Sequence, residues 1–262
     1  MNPRLETVRR RGGSRKPGIE VVPCGEDNYA YLIDVGSEVW AVDPGLPGPV
    51  LEKLGSRCLG AVFCTHHHRD HVGGVEELRR RFACPVFGPL RAGGTGRAAG
   101  GIIRRGRERM TAIPTPGHTR DSVSYFLEPG NVSASGALFT GDTLFLGGCG
   151  RLGECEPERM WESLRLLAAG AGEIGLYCGH EYTRENYRFA AAVGVAGREA
   201  LDLLQDLDRR PEAISVPRTL EAEKRTNPFL RAHEPAVRVP LGMEDASAFE
   251  VFLRLRRLKD VF

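Results

Sequence analysis

Apolar positions in the first two thirds of the chain come in short runs of strand length, separated by polar and glycine-containing turns. Glu20 to Cys24, Tyr29 to Asp34 and Val39 to Asp43 read as successive strands, broken at Gly25-Glu26-Asp27 and Gly36-Ser37. Pro49 to Leu54 fits a short helix. Leu59 to Cys64 is apolar throughout, the pattern of a strand buried on both faces. Val72 to Phe82 has helical spacing, with Val75 and Leu78 inward and Glu76, Arg79 and Arg80 outward. Residues 88–109 are rich in glycine and arginine and read as a mobile surface stretch around one short strand at Ile102-Ile103. Strands are expected at Met110 to Pro114, Val123 to Leu127, Ala137 to Thr140 and Ile174 to Cys178, with a helix from Pro157 to Ala168. Beyond His180 the strand pattern stops, and Thr183 to Val193, Ala196 to Leu207 and Ala246 to Leu258 read as helices. The fold class is therefore α/β: a two-sheet core over residues 19–180, then a helical part over 181–262 with helices only.

Composition narrows the class without naming a function. The 262 residues suffice for one large domain, or a main domain with a small one. Thirty-six basic residues stand against 34 acidic ones, so no global charge draws the chain to nucleic acid or a membrane surface. No apolar run approaches the ~20 residues that span a bilayer, and the N-terminus lacks a secretory apolar core. Residues 1–18 carry Arg9-Arg10-Arg11, Arg15 and Lys16 and read as a disordered basic tail. Glu6, the two glycines and Pro17 fit a mitochondrial presequence poorly, so a cytoplasmic location is expected, and a mitochondrial one only if that segment is a presequence. Seven scattered cysteines without a C-x-x-C pair argue against a disulfide framework and a structural zinc knuckle.

The chemistry is concentrated in His66-His67-His68-Arg69-Asp70-His71, directly after a buried strand. Neutral imidazoles crowded beside an aspartate are good metal ligands, and the strand end gives them a rigid base. His66 and His68 can serve one ion while Asp70 and His71 turn toward a second. Further donors sit at other strand ends: His118 in Thr115-Pro116-Gly117-His118-Thr119, Asp142 in Thr140-Gly141-Asp142-Thr143, and His180 in Cys178-Gly179-His180-Glu181. Each follows a glycine, which permits a sharp turn that aims the side chain off the strand. Only His233 is left over, as a structural or surface residue.

These motifs, with Val42-Asp43-Pro44-Gly45, resemble the metallo-β-lactamase superfamily, whose fold is an αββα sandwich. Within it the chain is similar to the glyoxalase II (hydroxyacylglutathione hydrolase) family. That narrower likeness rests on Asp27-Asn28-Tyr29-x-Tyr31, Gly141 to Phe145 leading to Gly148-Cys149-Gly150-Arg151, Gly179 to Thr183, Pro217-x-Thr219-Leu220, Thr226 to Arg231, and Lys259-Asp260-x-Phe262. The resemblance implies two divalent metals, zinc first, with iron or manganese able to replace it. His66, His68 and His118 would hold one, Asp70, His71 and His180 the other, and Asp142 would bridge, with Asp43 orienting a ligand histidine. Asp70 and Asp142 would flank a metal-bridging hydroxide that attacks the thioester of S-D-lactoylglutathione, releasing D-lactate and glutathione. Arg151 and Tyr182 would bind the glutathione backbone. Arg256 and Lys259 would bind its glycine carboxylate. The implied partner is this small molecule alone, with no nucleic acid and no membrane, and a monomeric chain.

The chain also departs from the family pattern. Gly153 stands where an aromatic residue is usual, Cys155 where glycine is usual, and Asp121-Ser122 where Gly-His is usual. Two rival functions remain on sequence grounds. A mononuclear iron persulfide dioxygenase of the same superfamily would share Gly148 to Arg151 but use three ligands. A nucleic-acid-binding member would use Arg104, Arg105, Arg107 and Arg109 as a basic patch.

Overall fold

In the computed structural model, residues 17–93, 101–170 and 172–262 are described. The basic tail lies outside this set except for Pro17 and Gly18, as does the centre of the glycine- and arginine-rich stretch. The chain begins with a meander, β1 (Gly18–Cys24), β2 (Asn28–Asp34) and β3 (Val39–Val42), followed by α1 (Pro47–Leu54) and β4 (Leu59–Phe63). A short helix α2 (Arg69–Val72) precedes α3 (Val75–Phe82) and β5 (Val86–Phe87). Then come β6 (Ile102–Arg105), β7 (Glu108–Pro114), β8 (Val123–Leu127), β9 (Ala137–Gly141), the two-residue strands β10 (Leu144–Phe145) and β11 (Gly148–Cys149), α4 (Pro157–Ala168) and β12 (Gly175–Cys178). The remainder holds α5 (Thr183–Ala192), α6 (Arg198–Arg209), β13 (Arg218–Thr219), α7 (Leu220–Thr226), α8 (Pro235–Arg238) and α9 (Ala248–Asp260).

Two sheets face each other. One has the order β1-β2-β3-β4-β5, the other β13-β12-β9-β8-β7-β6. β2 explains why strand alternation is invisible in this sequence. Tyr29, Tyr31 and Ile33 enter the cluster between the sheets, while Ala30 and Leu32 pack with Val50 and Leu54 of α1 and Val75 and Leu78 of α3. A sheet covered on both faces needs apolar residues at every position. Met160, Leu164 and Leu167 of α4 and Phe252 and Leu255 of α9 join the inter-sheet cluster from the far side. The αββα sandwich with a helix-rich tail follows.

Two expectations need correction. The tail is not helices only: Gly175 and Leu176 of β12 pair with Thr219 and Arg218 of β13, so the tail extends the second sheet. The helix expected from Val72 to Phe82 is broken at Gly73-Gly74. A Cβ on Gly74 would sit 2.5 Å from the Pro44 carbonyl oxygen, and one on Gly73 2.6 Å from that of Gly45. The loop after β3 presses on the break, and only glycine lets it come that close. The β10–β11 hairpin was not expected, because strands this short carry no periodicity.

Candidate metal centre

The second sheet and the β4 strand end at one edge, where the segments after four strands converge. His66, His67 and His68 follow β4, Asp70 and His71 ride on α2, and His118, Asp142 and His180 follow β7, β9 and β12. His118 Nε2 lies 3.0 Å from His68 Nδ1, and these two residues form one donor group with His66. In a second group, His71 Nε2 lies 3.2 Å from His180 Nε2 and 3.5 Å from an Asp70 oxygen, and His180 Nε2 lies 3.4 Å from that oxygen. Asp142 stands between the groups. One oxygen is 3.5 Å from His118 Nε2 and 3.3 Å from His180 Nε2, and the other is 3.3 Å from His71 Nε2.

These spacings suit cations. Four donors about 2.0–2.1 Å from a tetrahedral ion are about 3.3–3.4 Å apart. Without a cation, two imidazole nitrogens at 3.0–3.2 Å must share a proton or repel. Two buried polar atoms, His66 Nε2 and Asp142 Oδ1, have no hydrogen-bond partner among the described residues. An unpaired buried polar atom is costly, and a metal removes that cost. The residues present therefore fit a divalent metal centre.

The outer nitrogens of His66, His71, His118 and His180 are each engaged. Asp43, at φ 46°, accepts from the Thr65 amide (2.7 Å) and hydroxyl (2.6 Å) and lies 3.0 Å from His71 Nδ1. The Thr65 hydroxyl is in turn 3.0 Å from His66 Nδ1, so one carboxylate steers a histidine of each group. His180 Nδ1 meets Asp27 at 2.9 Å, His118 Nδ1 meets the Arg151 carbonyl at 3.2 Å, and the Asn28 amide donates to Asp70 at 2.8 Å. Asp27 and Asn28 belong to a motif visible in the sequence, yet nothing there assigns them these partners.

Electrostatics follow from the crowding. Burial opposes ionisation of Asp142, but His71, His180 and His66 outweigh it and hold the carboxyl far below its usual range. Burial likewise opposes charge on His71, but Asp142, Asp43 and Asp70 push its pKa up to about 9. His66 moves the other way, because burial and the neighbouring His71 both disfavour a second positive charge.

His67 is in the run but not in the centre. Its ring is held between Asp121 (3.2 Å) and Glu154 (3.3 Å). Asp121 therefore touches a non-ligand histidine and the Thr119 hydroxyl. At Gly153 a Cβ would sit 2.9 Å from the His118 carbonyl oxygen, so this loop leaves no room for the aromatic residue usual there. His233 is exposed.

Comparison with known proteins places the chain. The metallo-beta-lactamase superfamily model matches residues 25–190, and the model for the hydroxyacylglutathione hydrolase C-terminus matches 181–262. A hydroxyacylglutathione hydrolase of Methylococcus capsulatus is 43% identical over 257 residues, covering 92% of this chain and 97% of that protein. The enzyme of the same name from Brucella ovis is 38% identical, covering 93% and 98%. This chain belongs to the hydroxyacylglutathione hydrolase family. Among solved structures, ETHE1 from Myxococcus xanthus matches with a TM-score of 0.60 at 25% identity, covering 88% of this chain and 85% of that one. The BLEG-1 B3 metallo-beta-lactamase matches at 0.58 and 21%, covering 81% and 99%, a likeness of fold alone.

The tail that the C-terminal model matches also lines the site. A cavity of about 340 Å³ is lined at one end by His68, Asp70, His118, Asp142 and His180, and elsewhere by Arg151, Tyr182, Arg256 and Lys259. The Tyr182 ring stacks on His180, with centroids 4.7 Å apart and planes 6° from parallel. Arg256 and Lys259 share one helix face, but Arg256 is buried and already bonded to the Cys149 carbonyl at 2.9 Å and to Asp260. Of the arginines proposed as a nucleic-acid patch, Arg105 pairs with Glu38 and Arg109 with Glu128. No helix among the described residues is long and apolar enough to cross a membrane.

Proposed function

We propose that this chain hydrolyses S-D-lactoylglutathione to D-lactate and glutathione, using two divalent metals, zinc first. The observation that carries this reading is the shared cavity: the converging His and Asp donors and the tail's cations open onto one space. His66, His68 and His118 would hold one ion, Asp70, His71 and His180 the other, with Asp142 between them. The nitrogen and oxygen donors suit zinc and also admit iron or manganese. When bound, the ions supply an acidified water and a Lewis acid for the thioester carbonyl.

The chain's own residues do the rest. Asp70 and Asp142 orient the attacking water. Asp43, through His71 directly and through Thr65 to His66, fixes ring orientation. Tyr182, with its phenol kept protonated by burial, offers a donor beside the metal end. Arg151 and Lys259 offer cations to the anionic thiol carrier, and Arg256 braces the wall behind them. The thiolate leaves readily, so no serine or cysteine nucleophile is required. Residues 19–180 would thus carry the chemistry and 181–262 the carrier site. All these groups come from one chain, so a monomer suffices.

The test is hydrolysis of S-D-lactoylglutathione beside a thioester of a non-glutathione thiol, with metal content measured on the same sample. Preferred cleavage of the glutathione thioester at two metals per chain is expected. A fully metallated protein that cleaves neither overturns the reading.

A further inference from the structure

The cavity also holds a carboxylate that the proposed hydrolysis does not use. Glu185, on the first turn of α5, lines the same cavity as Arg151, Arg256 and Lys259. Its carboxylate lies 3.2 Å from Lys259 Nζ. The two partners differ in their access to water: the Lys259 side chain is 10% exposed and that of Glu185 62%.

Lys259 is short of partners. Its ammonium stands over the rings of Phe189 and Phe262, 5.6 and 5.2 Å from their centroids. Its Nζ makes no hydrogen bond of good geometry among the described residues. Burial pulls its pKa below the usual lysine range, and Glu185 works against that pull. The neighbouring Arg256 cannot take over, because Nη1 serves the Cys149 carbonyl and Nε and Nη2 serve Asp260. Lys259 is therefore a largely buried cation of this cavity with donors to spare, and the more exposed Glu185 stands beside it.

An incoming carboxylate must displace Glu185 or share Lys259 with it at like-charge distance. A neutral group meets neither cost. We propose that Glu185 is a specificity-determining residue that guards Lys259, weakening the binding of thiol carriers with an anionic tail and sparing those with a neutral one. The inference rests on the functional reading above in taking the carrier's tail to lie against Lys259.

The test compares wild type with Glu185→Gln on two thioesters, S-D-lactoylglutathione and its glycine-amidated analogue. The variant should lower KM for the acid by about fivefold, the scale of one partly exposed ion pair. Its kcat and its KM for the amide should not change. The gap between wild type and variant should narrow at about 0.5 M salt, where such a pair is screened. No change for the acid, or the same change for both substrates, overturns the role of Glu185. Calorimetric binding of S-methylglutathione and its glycine amide repeats the comparison without turnover. A charge-dependent response there, in a protein that cleaves no thioester, would uphold Glu185 and sink the hydrolytic reading. Equal binding of both ligands by both proteins, or no binding by either, would sink the role of Glu185 even where hydrolysis is seen.

Discussion

Asp43 shows how much of the centre depends on residues that would touch no metal. Asn fits its left-handed backbone as well as Asp does, so Asp43→Asn should leave the fold intact. It places an amide where carboxylate oxygens receive Thr65 and face His71. Metal affinity should fall about 10- to 100-fold, measured by chelator competition, with the circular dichroism spectrum unchanged. An unaltered affinity would mean that His71 is oriented by packing alone. His71 also gives a pH prediction. Its folded pKa of about 9 exceeds the usual 6.5, so in metal-stripped protein its stabilisation is complete below about pH 6.5 and is lost as pH rises through 9. The unfolding temperature of stripped protein should therefore fall over that window. Metal-loaded protein should show the reverse, since protons compete with the metal for the same nitrogen. Parallel curves for the two forms would refute the charge assigned to His71.

Two-residue elements and glycine contacts decide whether the loops meet. Gly179 precedes His180, and the reason differs from the turn that the sequence suggests: a Cβ there would lie 2.3 Å from Asp142 Oδ1 and 2.7 Å from His71 Cε1. Gly179→Ala should thus lower metal stoichiometry and cut turnover by about 100-fold, a cost typical of a 1 Å misplacement. Elemental analysis and kinetics check this, and full metal occupancy at normal rate would contradict it. The β10–β11 hairpin is held from the tail. Asn227 donates to the carbonyls of Phe145 (3.1 Å) and Gly148 (3.0 Å), while buried Glu223 accepts from the Gly147 amide. Asn227→Leu orphans two carbonyls at about 1–3 kcal/mol each. It should lower the unfolding temperature and raise KM more than it lowers kcat. What was legible in the sequence follows from chemistry. His66, His118, Asp142 and His180 stand out because they are rare donor types closing apolar runs. The roles of Asp27 and Asn28, whose motif was visible, and of Thr65 and Glu223 were not legible, because each is an ordinary polar residue that acts only through a partner far along the chain.

At the scale of the whole molecule, the open question is whether the tail is a separable part. Its pattern changes at His180, and a family model begins at 181. Packing points the other way. Phe189, Val195, Phe229, Val237, Val251, Phe252 and Leu255 belong to the same buried cluster as Tyr31, Phe139 and Leu176 of the sheets. Burying one such side chain is worth about 1.5–3 kcal/mol. Losing seven would remove about 10 kcal/mol or more, which is comparable with the entire stability of a typical domain. The cut would also bare the edge of β12 now covered by β13, and unpaired edges promote aggregation. It would strip Glu181 from the Tyr29 hydroxyl at the root of the Asp27-Asn28 loop, which orients His180 and Asp70. Residues 1–180 expressed alone should therefore be insoluble, or soluble without cooperative unfolding and without tight metal binding. A fragment that unfolds cooperatively and keeps its metals would show that the tail is only docked onto a finished core. The expected failure would mean that this family's carrier site and its metal centre are built by one folding event.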